Sequence, residues 1–321
     1  MKENVLLFNV NLKERIWGGS YLNELYNQNQ TSPVGEAWVL SGHLNGASII
    51  KNGKYKDKPL NVLYLENKSL FGKSNHDRFP LLIKVLDAKD DLSVQVHPDD
   101  EYALKHHNDL GKNECWYILD ALEDASIIYG QNAKNKEDFK KYIDNNDWNN
   151  VLKSVKVKKG DFYNIPTGTV HAIGKGIKIL EIQQSSDTTY RLYDYDRKDN
   201  TGKLRDLHIE DALKVINYNQ TNKPLKTDTF GPVTRLVSNN YFTVDKITLN
   251  GSIDVTQNND YTILFANNEP VEINVFDQTY IVEAFHSALI TSNVTKFTLK
   301  SKNEVFLIRE NKFNLKKTYL Y

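Results

Sequence analysis

In the stretch LSVQVHPDDEYA, residues 92–103, an uncharged glutamine and a histidine stand two positions apart in a largely apolar run that stops at Pro98 and two aspartates. Strand side chains alternate with period two, so Ser93, Gln95 and His97 share one face while Val94 and Val96 share the other. Polar groups on one face of an apolar strand ordinarily meet solvent. An amide oxygen and an imidazole aimed at one point can instead ligate a metal, provided that the chain supplies further donors. A second stretch, GDFYNIPTGTVHAIGK at residues 160–175, places Gly160, Pro166 and Gly168 where a tight turn would need them, setting His171 at the start of the returning strand. A lone histidine is more often a satisfied core or surface group than a ligand. His97 and His171 together with Gln95 are harder to dismiss.

The elements that must hold these side chains read as strands. Runs such as FPLLIKVLDA, ECWYILD, ASIIYG, GIKILEIQQ and YRLYDYD are short, alternating or apolar, and Gly, Asn, Asp and Pro punctuate them. Three segments carry helical signals: PDDEYALKHH, which opens on a proline and acids, NKEDFKKYIDNNDWNNVL and LHIEDALKVINY. The polar stretch 217–228 reads as a linker, and β-rich sequence follows it. The expectation is therefore a larger β-rich domain over residues 1–222 and a small β-sandwich over 223–321.

Composition narrows the function. Of 321 residues, 41 are Lys or Arg and 41 Asp or Glu, so the net charge is zero and nothing suggests an electrostatic footprint for nucleic acid or an anionic membrane. No apolar run approaches the roughly 18–20 residues of a membrane span. The first residues do not read as a signal peptide. The single cysteine, Cys115, excludes an internal disulfide framework and fits a reducing compartment. These features predict a soluble cytoplasmic protein without a nucleic-acid or membrane partner; a monomer or homodimer acting on a small molecule is expected, though composition does not specify it.

The spacing Gly160-x5-Pro166-x-Gly168-x2-His171 resembles the second motif of the cupin superfamily, double-stranded jelly rolls that hold a metal inside, with Lys175 where an asparagine is usual. The first cupin motif normally offers His-x-His and then a glutamate. Here Gln95-x-His97 stands for the pair and Glu114 is the candidate glutamate, with a helix in the gap. These departures, together with KERIWGG, GEAWVLSGH, FPLLIKVLDA and QQSSDTTYRLYDYDR, resemble type I mannose-6-phosphate isomerases in their short bacterial form, over roughly residues 10–210. Longer forms have His-Lys-Pro-Glu where this chain has Gly111-Lys112-Asn113-Glu114, so a role for that histidine has no counterpart.

The resemblance implies an all-β cupin jelly roll with helical insertions, followed by a smaller sandwich. It implies one Zn²⁺ per chain on Gln95, His97, Glu114 and His171, and reversible isomerisation of D-mannose 6-phosphate and D-fructose 6-phosphate through an enediol. Arg191 falls at the family's catalytic arginine, with Asp187 four residues earlier, and Lys84 and Lys112 fall near the pocket. Arg191 and Lys112 are the expected catalytic residues, and Lys84, Asp187 and Trp17 the expected substrate contacts. An amide in place of a second carboxylate keeps the site one negative charge lower and the metal a stronger Lewis acid.

The plainer readings are specific. Trp17 fits core packing as well as a pocket wall. An unpaired ammonium at Lys84 inside an apolar strand would be costly. Cys115 faces away from Glu114 and reads as a buried bystander. His106 and His107 read as exposed helix residues, and His286 has no companion ligands. Two rivals remain: another metal-dependent cupin enzyme such as an iron oxygenase, which more often presents two histidines and one carboxylate, and a non-catalytic sugar-phosphate-binding cupin.

Overall fold

Alternating burial explains how the strands stack. Val94 and Val96 pack with Val170, Ala172, Tyr190 and Leu192 in one apolar cluster, together with helix residues Phe139, Trp148 and Leu213. The residues between them, Gln95, His171 and Arg191, therefore project to the other side of the same sheet. That sheet has five strands in the order Tyr190–Tyr193, Val94–Val96, His171–Ile173, Ser126–Gln131, Leu152–Lys156. A six-stranded sheet runs Asn11–Gly19, Val34–Ser41, Leu81–Ala88, Ile177–Gln184, Glu114–Ala121, Phe162–Ile165. Ile127 and Ile173 of the first sheet and Leu86, Trp116, Ile118, Ile177 and Ile179 of the second share one core. The two sheets thus face each other across a common interior.

This computed structural model describes residues 3–30, 32–198, 201–219 and 227–311. The chain forms two compact units, neither continuous in sequence: one from 12–37 and 83–224, the other from 1–11, 38–82 and 225–321. The second unit contains a seven-stranded antiparallel sheet, in which Val5–Leu7 pairs with Ser287–Ile290, and a four-stranded sheet of Gly251–Thr256, Lys296–Ser301, Val271–Val275 and Gln278–Val282. Val5, Leu264 and Leu307 from the first and Ile273, Phe297 and Leu299 from the second share a core. The β-sandwich expected after residue 222 is thus joined by residues 1–11 and 38–82. Strand pairing between Val5 and Ile290 is a long-range contact that no local pattern announces. Most of the linker read at 217–228, residues 220–226, lies outside the described residues.

The all-β class expected from the sequence is observed, with helices as insertions. Asp100–His107 is a helix whose N-cap, Asp99, accepts a hydrogen bond from the Tyr102 amide at 2.8 Å. The single helix expected across 135–152 is two, Lys136–Asp144 and Trp148–Val151, because Asn146 between them adopts φ 52°. Ile209–Val215 is the third expected helix. Short helices at Tyr21–Leu25 and Leu60–Glu66 were not signalled. Among the described residues no helix is long and apolar enough to cross a membrane.

Candidate metal centre

Three strands in register set the site's geometry. His171 lies opposite Gln95 on one side, and Arg191 lies opposite Gln95 on the other. His97 follows immediately at the end of its strand, and Glu114 opens the strand Glu114–Ala121. His97, Glu114 and His171 are buried and bring their donor atoms within 4.8 Å of one another.

The tautomers follow from the neighbours. His97 Nδ1 is 3.0 Å from the Thr188 carbonyl and His171 Nδ1 is 2.8 Å from the Thr169 carbonyl. A ring nitrogen facing a carbonyl must carry the hydrogen, so each Nε2 keeps its lone pair. Those Nε2 atoms sit 3.5 and 3.4 Å from the two oxygens of Glu114. Burial pushes His97 well below the ordinary imidazole value, with Lys112 and His171 adding to it, and burial takes His171 down to about 4. Both rings are therefore neutral at neutral pH and can each offer a lone pair to a cation.

Glu114 is fully buried. Apart from the Lys112 ammonium 3.0 Å from Oε2, its oxygens have no hydrogen-bond partner among the described residues. Burial pushes its carboxyl up to about 7 against the pull of Lys112. Two imidazole lone pairs and a buried carboxylate with one ammonium partner, converging within 4.8 Å, fit a divalent cation with mixed N and O preference. The Gln95 amide completes the set: its nitrogen is drawn 3.3 Å from His171 Nε2, and half a turn of the amide plane puts the oxygen there. All four ligand residues expected from the sequence are brought together.

Beside this cluster a cavity of about 380 Å³ opens, with Gln95 and Lys112 in its wall. That is adequate for a sugar phosphate. Lys112 Nζ also lies 3.1 Å from His97 Nε2. Lys84, Asp187, Trp17 and Arg191 line the same cavity. Lys84 Nζ is 3.0 Å from Glu181 and 3.8 Å from Glu36; burial opposes its charge, but these carboxylates outweigh that and raise its pKa. Arg191 donates from Nε to Ser93 Oγ at 3.3 Å and from Nη1 to the Asp206 carbonyl at 2.8 Å. Asp187 is exposed at the wall, and Trp17, 4% exposed, is both core and wall. Cys115 is buried, as expected.

The sequence reading missed Glu181, Glu36, Arg15 and Arg205, all of which line the cavity. Glu181 had a usable signal: it falls in phase with Ile177 and Ile179, which face the shared core, so a carboxylate there points inward. Burial would raise its pKa, but Lys84 and Lys112 hold it below the usual carboxylate value, and Trp116 Nε1 donates to it at 3.1 Å. Glu36 sits in a strand buried along its whole length, where alternation carries no information, and receives two hydrogen bonds from Arg15, at 2.7 and 3.1 Å.

Comparison with known proteins agrees with this geometry. The family model for the catalytic domain of type I phosphomannose isomerase matches residues 5–147. The chain is 49% identical over 258 residues to mannose-6-phosphate isomerase of Streptococcus mutans, spanning 79% of this chain and 81% of that protein. It is 47% identical over 275 residues to mannose-6-phosphate isomerase ManA of Bacillus subtilis, spanning 82% and 85%. The crystal structure of the mannose 6-phosphate isomerase from Bacillus subtilis superposes with a TM-score of 0.90 at 36% identity, over 96% of this chain and 100% of that one. The chain belongs to the type I mannose-6-phosphate isomerase family.

Proposed function

We propose that this chain interconverts D-mannose 6-phosphate and D-fructose 6-phosphate in the cytoplasm, with one Zn²⁺ held by Gln95, His97, Glu114 and His171. The observation that carries the reading is the buried His97–Glu114–His171 cluster, beside a cavity whose wall holds Gln95, Lys112, Lys84, Arg191 and Arg205. The unit formed by 12–37 and 83–224 is the catalytic domain in this reading. When bound, the cation supplies Lewis acidity to the oxygens on the sugar's first two carbons.

The protein's own groups do the rest. An aldose–ketose shift moves a proton between adjacent carbons through an enediol and needs the developing oxyanion held. Arg191, tethered at Nε and Nη1 and opposite Gln95, is a fixed guanidinium beside the reacting carbons. Lys112, held by Glu114 and His97, is placed to exchange a proton with the sugar's carbonyl and hydroxyl oxygens. Lys84 is kept charged by Glu181 and Glu36 and adds a preorganised positive potential. Trp17, Leu86 and Ile173 give the cavity apolar wall that limits water.

A coupled assay following fructose 6-phosphate formation from mannose 6-phosphate, run beside an oxygen electrode, tests this. Turnover without oxygen uptake is expected. Absence of turnover in zinc-replete protein overturns the isomerase, and oxygen consumption would support the oxygenase rival instead.

A further inference from the structure

Three arginines gather around one carboxylate at the end of the strand that carries Arg191. Asp194, 5% exposed, accepts from Arg205 through Nε at 2.7 Å and Nη2 at 2.5 Å, and from Arg197 Nη2 at 2.6 Å. One negative charge thus anchors two guanidiniums, with Arg191 close enough for all three to act on it electrostatically. Arg205 lines the cavity, whereas Arg197 does not and instead donates to the Asp91 carbonyl. The Nε–Nη2 edge of Arg205 is committed to Asp194, and among the described residues no protein group takes the Nη1 edge.

The position matters as much as the charge. Along residues 97 to 91 the chain leads away from the metal cluster: His97 and Gln95 belong to it, Ser93 holds Arg191, and Asp91 meets Arg197. Arg197 and Arg205 share Asp194, so the Asp194–Arg205 pair lies toward Asp91, on the side of the strand Val94–Val96 that precedes Gln95 and His97. A sugar bound by its first two carbons at the cluster carries its phosphate on that side.

The geometry points to Arg205, oriented by Asp194, as the residue that grips the substrate's phosphate, distinct from Arg191 at the reacting carbons. This rests on the sugar-phosphate reading of the cavity. A guanidinium fixed on one edge presents the other to a phosphate with its rotamer already paid for, which is why the built pair suits a dianion better than a mobile lysine.

The test compares Arg205→Ala, Arg205→Lys and Arg197→Ala, each checked for folding by thermal melt. Loss of a charge-assisted contact predicts that Arg205→Ala raises KM for mannose 6-phosphate about tenfold to a hundredfold with kcat within about threefold. Arg205→Lys, which keeps charge and loses the fork, falls between. Arg197→Ala shares Asp194 but does not face the cavity, and its KM stays within about twofold of the unaltered protein. Activity on unphosphorylated mannose separates the roles: kcat/KM on mannose is unchanged in Arg205→Ala if the residue meets the phosphate. Equal losses on mannose and mannose 6-phosphate, or an unchanged KM, overturn the proposal. Calorimetric binding of inorganic phosphate reads the cradle independently of turnover. Weakening of about tenfold or more in Arg205→Ala supports it even in a protein that fails as an isomerase, and undiminished binding overturns it even in one that succeeds.

Discussion

Two β-sheet interiors in one chain treat buried polar groups in opposite ways. In the unit formed by 1–11, 38–82 and 225–321, the shared core of the two sheets is apolar. Its carboxylates are satisfied: Asp245 receives Arg235 Nε at 2.9 Å and is also paired with Arg309, and Glu310 accepts from Tyr261 Oη at 2.9 Å with His76 Nε2 2.9 Å away. Among the described residues, the buried acceptors without a partner there, Asn61 Oδ1, Gln257 Oε1, Asn267 Oδ1 and Ser287 Oγ, are neutral. The other unit buries Glu114 between two imidazoles with the Lys112 ammonium as its one charged partner, at Oε2, an arrangement that folding alone does not favour. Similar sheet packing with so different a polar interior is what the proposed metal centre in the unit formed by 12–37 and 83–224 requires.

The largest effect that would break this contrast lies at His171. His171→Ala should remove the metal and lower kcat/KM by about a thousandfold or more, roughly 4 kcal/mol, while the melting transition of the sandwich unit stays in place. Metal analysis beside the coupled assay checks it. In the apolar interior, Phe297→Ala should destabilise by about 3–5 kcal/mol through the cavity it leaves, with metal content per folded chain unaltered, as urea titration with metal analysis would show. Gln95→Glu sharpens the electrostatic side. The added negative charge should keep the metal bound but lower kcat about tenfold by weakening its Lewis acidity.

The smallest effect concerns Asp194. Burial would raise its carboxyl, but hydrogen bonds from Arg205 and Arg197 hold it below the usual carboxylate range. A carboxyl depressed in the folded state stabilises fully above its unfolded pKa, and that contribution is lost as pH falls through the folded value. The melting-temperature advantage of the unaltered protein over Asp194→Asn should therefore be constant near neutrality and shrink below about pH 4. A difference independent of pH would mean that the ion pair is not its source.

Much of the candidate metal site was legible because most of its residues sit at strand positions where period-two alternation has meaning. Ser93, Gln95 and His97 share a face opposite Val94 and Val96, and the Pro166–Gly168 turn returns the chain at His171. Glu114 followed only from the family resemblance. Glu36 was hidden because its strand, Val34–Ser41, is buried on both faces, which erases alternation. Arg205 was hidden by its setting in a polar loop with no periodicity. The division into units was misjudged at residues 1–11 and 38–82 because pairings such as Phe8 with Ile50 and Val5 with Ile290 join segments that look independent in sequence. The break in the helix at Asn146 came from backbone conformation at one residue, which the Asn-rich composition of 145–150 hinted at without locating.

The most direct test is X-ray absorption at the zinc edge, with anomalous diffraction from the same preparation. The account predicts one zinc per chain with only nitrogen and oxygen neighbours, two of them imidazoles, located among Gln95, His97, Glu114 and His171. A metal coordinated elsewhere, or full isomerase activity in protein shown by the same measurement to hold no metal, would contradict it.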